Sequence, residues 1–226
     1  MRIAILAAMD KELTLLLSLM PQYEEIKVEG ITYYKGEIAG QEIIAGKCGI
    51  GKVNAALNTL RLIQAVNPDL VINSGVAGGA SSSAKIGDVL IADRVAYHDV
   101  WCGPGTQYGA ADGYEKYLLP APEIVKGCKE KVPDAVYSLI CSGDKFISTA
   151  DEVKEIRNNF PEVFAVDMES AAIAQTCISC GIPFLIVRVM SDTPGEGDNI
   201  SHSQDFWSEA PKKTFACVEK IIEQVL

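Results

Sequence analysis

Along this chain, short runs of wholly apolar residues alternate with longer stretches whose apolar positions recur every three or four residues. Residues 2–7 form the first apolar run, and residues 11–19, bounded by Met9-Asp10 and Pro21, have a helical period. Residues 25–28, 31–38 and 41–47 read as strands, with Ala39-Gly40 as a hairpin turn. A helix over 51–65 ends at Asn67-Pro68, and a buried strand over 69–73 runs into the loop Gly75-Val76-Ala77-Gly78-Gly79. Extended segments over 87–92 and 94–97 precede residues 99–113, rich in Gly, aromatic and polar residues and showing neither period. A helix over 121–131, a strand over 135–141, a helix over 151–159 and a strand over 163–166 follow. The pattern closes with a helix over 168–180, a strand over 183–190 and a helix over 203–225 interrupted near Pro211.

Strands that are apolar throughout and separated by helices belong to a largely parallel sheet covered on both faces, to which the hairpin adds antiparallel strands. The expected fold is one three-layer α/β/α domain over residues 1–226 with a central mixed, largely parallel sheet. In such sheets ligands bind outside the carboxyl ends of the strands. Those ends carry Met9 to Glu12, Gly75 to Gly79, Met168-Glu169 and Ser191-Asp192.

Composition narrows the partners. The 226 residues are 48% hydrophobic, enough for one sizeable core, and no apolar stretch approaches the length of a membrane span. A formal net charge of −10 would repel nucleic acid and anionic membranes alike, so neither is expected as a partner. Seven scattered cysteines, an odd number, suit reduced thiols in a cytosol better than a secreted disulfide framework. The expectation is a cytoplasmic protein.

Several motifs compete for the chemistry. Gly46-Lys47-Cys48-Gly49-Ile50-Gly51-Lys52-Val53 has phosphate-loop spacing, but it puts Val53 where a magnesium-binding hydroxyl belongs, after what reads as a hairpin strand. A Gly-rich turn bringing backbone and Ile50 close to a ligand is the better account. Cys177-Ile178-Ser179-Cys180 has redox spacing at the wrong end of its helix. With only His98 and His202 available, no metal is expected, and no G-x-S-x-G elbow supports a serine hydrolase.

The carboxylates are more telling. Glu12 in the first turn of its helix has an ordinary reading as a complement to the helix dipole. Asp192, however, ends an apolar strand that also embeds Arg188, and a buried strand seldom carries arginine unless an anion lies nearby. Glu12, Glu169 and Asp192 at one sheet edge would repel one another, and such crowding raises the pKa of at least one toward the range of a general acid.

Together, Ala7-Ala8-Met9 leading to Glu12, Ser74 to Gly79, Ser142-Gly143-Asp144 with Phe146-Ile147, Asp167-Met168-Glu169 and Arg188 to Asp192 carry a resemblance. The chain resembles the methylthioadenosine/S-adenosylhomocysteine nucleosidases of the nucleoside phosphorylase superfamily, nearly end to end. The resemblance implies a nucleoside phosphorylase-like fold, a homodimer, no cofactor, and hydrolysis of the N-glycosidic bond of adenine thionucleosides, 5′-deoxyadenosine among the further substrates. It implies Asp192 as the acid at purine N7 and Glu12 as the residue that orients or activates water. It further implies Met168 and Glu169 on the ribose, Ser191 and Arg188 as supports, Phe146 stacked on adenine and the Ile147 backbone hydrogen-bonded to it. Gly78 is a further substrate-binding residue, while Met9, Ile50 and Met168 offer the soft apolar contacts a thioether favours.

Two departures stand out. Family members often have Ser where this chain has Val76, close to the implied water. Residues 193–203 do not match the usual pattern, which leaves Phe206 and Trp207 as candidates for the aromatic of the 5′ pocket. Rival readings are a purine nucleoside phosphorylase, a futalosine-type nucleosidase, a phosphate-loop nucleotide-binding protein and a non-catalytic purine sensor.

Overall fold

The computed structural model describes residues 1–28, 30–193 and 210–226. The strands are β1 (Arg2–Ala7), β2 (Tyr23–Val28), β3 (Ile31–Ile38), β4 (Gln41–Lys47), β5 (Leu70–Gly79), β6 (Val89–Tyr97), β7 (Val136–Ser142), β8 (Val163–Asp167) and β9 (Phe184–Asp192). The helices are α1 (Asp10–Leu17), α2 (Lys52–Val66), α3 (Pro122–Lys131), α4 (Ala150–Asn159), α5 (Ser170–Cys180) and α6 (Ala210–Gln224). All strands join one mixed sheet in the order β2-β3-β4-β1-β5-β8-β7-β6-β9. Because β9 also pairs with β5, in parallel, the second half of the sheet closes into a ring instead of ending in an edge.

The apolar strands are apolar for a geometric reason: successive side chains feed two different cores. In β1, Ala4 and Leu6 join Leu62, Ala171 and Cys177 under α2 and α5, whereas Ile3, Ile5 and Ala7 join Leu13, Leu16, Val218 and Ile222 under α1 and α6. Strand β9 divides in the same way, Phe184, Ile186 and Met190 to one face, Leu185 and Val187 to the other. A third cluster, with Cys141, Val166, Val153 and Phe160, seats α4 against β7 and β8. These layers are the three expected from the pattern.

Several boundaries differ from the periodicity. Strand β5 continues to Gly79, so Gly75 to Gly79 is strand and not loop; its small residues pair with β9 from Val71↔Phe184 to Gly78↔Asp192. Residues 87–97 hold one strand, β6, whose register shifts between Ala92 and Arg94. Helix α5 begins at Ser170 because Glu169 is its N-cap, at φ −129°. Pro211 falls in the first turn of α6, where a missing N–H costs no helical hydrogen bond. Residues 203–209 of the expected closing helix, with His202, Phe206 and Trp207, lie outside the described residues.

Candidate active site

Glu12 stands at the third position of α1, one turn beyond the carboxyl end of β1, and is almost wholly buried. Its Oε2 accepts hydrogen bonds from the backbone N–H of Ala8 at 2.9 Å and Met9 at 3.1 Å, and Oε1 accepts one from Val76 N–H at 3.1 Å. The carboxylate thus does serve its own helix start, as the ordinary reading has it, while also reaching across to β5. Val76 has no side-chain hydroxyl, yet its backbone still binds Glu12. Burial raises the Glu12 pKa, against the pull of Arg188 and the three amides.

Gly75 is required where Glu12 and Arg188 meet. A Cβ there would stand 2.5 Å from Glu12 Oε1 and 2.8 Å from Arg188 Nη1, so any other residue would push the two groups away. The anion that buried Arg188 demanded is Asp167, which belonged to the Asp-Met-Glu motif without a role of its own. Arg188 Nη2 donates to Asp167 Oδ2 at 2.8 Å and to Asn73 Oδ1 at 2.5 Å, and Nε donates to Asp167 Oδ2 at 3.1 Å. Ser142 Oγ and Ser170 Oγ each donate to Asp167 at 2.5 Å. Asn73, which the sequence did not single out, and Ser142, which entered only as part of the Ser-Gly-Asp motif, are supports behind the site; a polar residue within an otherwise apolar strand was the available signal.

Glu169 takes a hydrogen bond on Oε1 from Gly51 N–H at 3.0 Å and lies 3.8 Å from Arg188 Nη2. Burial, then the charge of Asp167, pushes its pKa up to about 7, with Arg188 and the Gly51 amide opposing. Asp192 stands where β9 bulges: Ala77 pairs with Met190 but Gly78 pairs with Asp192. Unbroken alternation would send Ser191 and Asp192 to opposite faces, and the bulge lets both line the cleft. Ser191 Oγ donates to Asp192 Oδ1 at 2.7 Å, while Oδ2 is buried with no hydrogen-bond partner among the described residues. Burial raises the Asp192 pKa. Mutual repulsion is therefore not the leading cause of these shifts, as the crowding argument expected; desolvation comes first for all three acids.

Each residue to which the resemblance gives a catalytic or binding role lines one cleft of about 790 Å³, counting its open mouth; the two aromatic candidates Phe206 and Trp207 lie outside the described residues. Met9, Ile50, Met168 and Phe146 supply apolar wall, Ile147 and Gly78 also line the cleft, and Arg188 lies among the acids. Phe146 and Ile50 are about half exposed, so they sit at the mouth, whereas Ile147 is anchored in the α4 core. Lys145, also on the lining, pairs with Glu152 at 2.6 Å.

The phosphate-loop reading meets a direct obstacle. The strand before that loop, β4, pairs in parallel with β1 as well as antiparallel with β3, so the strand alone would not have excluded it. What does is the use of the amides at the start of α2: Gly51 N–H binds Glu169 and Lys52 N–H binds Asp144 at 2.7 Å, leaving carboxylates where a phosphate would have to sit. The Gly51 conformation, φ +89°, brings this backbone to the cleft. Cys177 and Cys180 are free thiols at the end of α5, and burial pushes the Cys177 thiol well up, away from reactivity. Among the described residues no cluster of His, Cys, Asp or Glu could hold a metal, and no helix is long and apolar enough to cross a membrane.

Comparison with known proteins follows the same lines. The pattern defining the phosphorylase superfamily matches residues 2–223. The 5′-methylthioadenosine/S-adenosylhomocysteine nucleosidase of Geobacillus thermodenitrificans is 40% identical over 210 residues, covering 90% of this chain and 89% of its own. Its counterpart in Haemophilus influenzae is 37% identical, with all of both chains covered. The structure of the S. pneumoniae nucleosidase with the transition-state inhibitor MT-ImmA superposes with a TM-score of 0.95 at 34% identity, covering 100% of each chain.

Proposed function

Since the chain belongs to the phosphorylase superfamily, and within it to the 5′-methylthioadenosine/S-adenosylhomocysteine nucleosidase family, we propose that it hydrolyses the N-glycosidic bond of these adenine thionucleosides. The products are adenine and the 5-substituted ribose. Cleavage builds positive charge on the ribosyl ring and electron density on the purine, so the site must supply a proton to the base and anions to the sugar. The supporting observation is that Asp192, raised in pKa and with its Oδ2 without a partner among the described residues, shares one cleft with a fixed Glu12 carboxylate. Glu12 is tied to Val76 and Asp192 pairs with Gly78, two residues further along β5, so the backbone anchors are offset by about 7 Å.

In this reading Asp192 is protonated on Oδ2 and donates to purine N7, while Ser191 donates to the other oxygen and fixes the carboxyl. Glu12 holds and deprotonates the water that attacks the anomeric carbon. Arg188, its Nε and Nη2 occupied by Asp167 and Asn73, keeps Nη1 close to Glu12 on the same side of Gly75 and adds a second handle for that water. Glu169 receives the ribose hydroxyls and faces the developing cation. Phe146 stacks on adenine, the Ile147 backbone and Gly78 edge the purine, and Met9, Ile50 and Met168 receive the thioalkyl group. Water is the only co-reactant, and no cofactor is required.

A homodimer fits the surface of α2, where Val53, Leu57 and Leu60 are exposed at helical spacing and continue from exposed Ile50 at the cleft mouth. Free cysteines agree with a cytoplasmic site of action. The decisive experiment is product identity. Incubated with methylthioadenosine in phosphate buffer, the enzyme should release methylthioribose. Phosphate-dependent formation of methylthioribose 1-phosphate would make it a phosphorylase instead, and preference for an aminofutalosine over methylthioadenosine would reassign its substrate.

A further inference from the structure

Outside the cleft, behind the loop that carries Phe146 and Ile147, lies a group of charged residues to which none of the chemistry above assigns a part. Asp99 Oδ2 accepts hydrogen bonds from Asp144 N–H at 2.8 Å and from Lys52 Nζ at 2.7 Å. Asp144 Oδ1 in turn accepts from the backbone N–H of Lys52 at 2.7 Å. The neighbouring amide, Gly51 N–H, is the donor to Glu169 Oε1 at 3.0 Å. One continuous set of bonds therefore runs from the 143–147 loop, through the first residues of α2, to the carboxylate at the other side of the site.

The local backbone is shaped for this contact. A Cβ at Gly51 would stand 3.1 Å from Asp144 Oδ1, at a backbone angle other residues rarely adopt. Gly143 lies directly on the imidazole of buried His98, where a Cβ would come within 2.3 Å of a ring atom, so the loop has a rigid seat just before Asp144. His98 N–H donates to Ser142 O at 2.9 Å and its own carbonyl accepts from Tyr108 Oη at 2.8 Å, which fixes the residue preceding Asp99. Lys52 also lies over the Tyr97 ring at 5.5 Å.

We propose that Asp99, Lys52 and Asp144 are positioning residues that lock the purine loop to the N-terminus of α2 and thereby hold Glu169 in register with the bound base. The inference rests on the assignment of Phe146 and Ile147 to adenine and of Glu169 to ribose. It gives the end of the glycine-rich turn a use: the amides of Gly51 and Lys52 transmit the loop position to a carboxylate instead of cradling a phosphate. The lock has a direction that can be read by titration. Glu169 faces Asp167, Arg188 and Glu12 as well as the Gly51 amide, and an amide donated to a carboxylate favours its charged form. Loosening that amide moves Glu169 protonation to higher pH.

The test compares the wild-type protein with Asp99→Ala, Asp144→Ala and Lys52→Arg, measuring the adenine dissociation constant and the pH dependence of kcat/KM for methylthioadenosine. The two alanine variants should bind adenine about tenfold more weakly, the effect of one charge-assisted hydrogen bond. In both, the acid limb of kcat/KM should move up by about half a pH unit. Lys52→Arg, which keeps the charge against Asp99, should stay within about twofold of wild type in both measurements. Unchanged adenine affinity in both alanine variants overturns the proposal, and so does weaker adenine binding with an unmoved acid limb. Should the alanine variants fail to fold, Asp99→Asn decides in the same terms, since it keeps an acceptor for Asp144 N–H but drops the charge facing Lys52. A wild-type protein that releases no adenine would refute the hydrolase reading, and adenine affinity would then still judge the lock.

Discussion

Arg188 donates to a single oxygen of Asp167 from both Nε and Nη2, at 3.1 and 2.8 Å, with each side chain almost wholly removed from solvent. The pair ties the end of β8 to the middle of β9, strands that share no direct ladder in the sheet order. Burial would pull the arginine pKa down, but Asp167, Glu169 and Glu12 together raise it, so the cation persists inside the sheet.

Removing one partner should therefore be costly. Asp167→Ala leaves Arg188 with Asn73 and a Glu169 oxygen at 3.8 Å, and should destabilise the fold by about 3–5 kcal/mol in urea unfolding. A loss below about 1 kcal/mol would mean that the remaining acids compensate freely and that Asp167 is not the structural counter-ion.

Asp192→Asn keeps the shape and the Ser191 contact but has no proton to give. It should lower kcat by about 10²-fold or more with the fold intact by circular dichroism. Because burial raises the Asp192 pKa, its protonated form survives to higher pH than that of an exposed aspartate, and wild-type activity should fall on the alkaline side as that proton is lost. The asparagine variant should lack this alkaline fall, and near-wild-type turnover in it would take the acid role away from Asp192.

The wall formed by Met9, Ile50 and Met168 bears on the 5′ substituent. A 5′-hydroxyl buried against it without a partner costs about 1–3 kcal/mol, so methylthioadenosine should exceed adenosine in kcat/KM by about tenfold or more. Equal values for the two would show that the 5′ end of the cleft is polar or open.

Much of this molecule is legible along the chain. Residues 2–7, 31–38 and 41–47 are strands with those limits: the first is an almost wholly apolar and buried run, and the other two, which carry polar residues, are delimited by the turn between them. Ala39-Gly40 makes its turn with both residues at positive φ, and Asn67 closes α2 in the left-handed conformation, local events set by residue type. The site residues were visible for the complementary reason: Arg188 and Asp192 in an apolar strand, and acids at strand ends, are polar where periodicity asks for apolar.

What could not be read depends on neighbours distant in sequence. Gly75 to Gly79 has glycine-rich composition that suggests a loop, and pairing with β9 and, at its end, with β8 makes it strand. The bulge that turns Ser191 and Asp192 into one cleft is a mismatch between two strands, and no single strand records it. That Arg188 needs an anion follows from its apolar surroundings; that the anion is Asp167 depends on how β8 and β9 are brought together. The same holds for the raised pKa values of Glu12, Glu169 and Asp192. The chain shows three acids bound for one sheet edge, but the free energy of ionising each is set by the water excluded around it, and that exclusion exists only once the layers have closed.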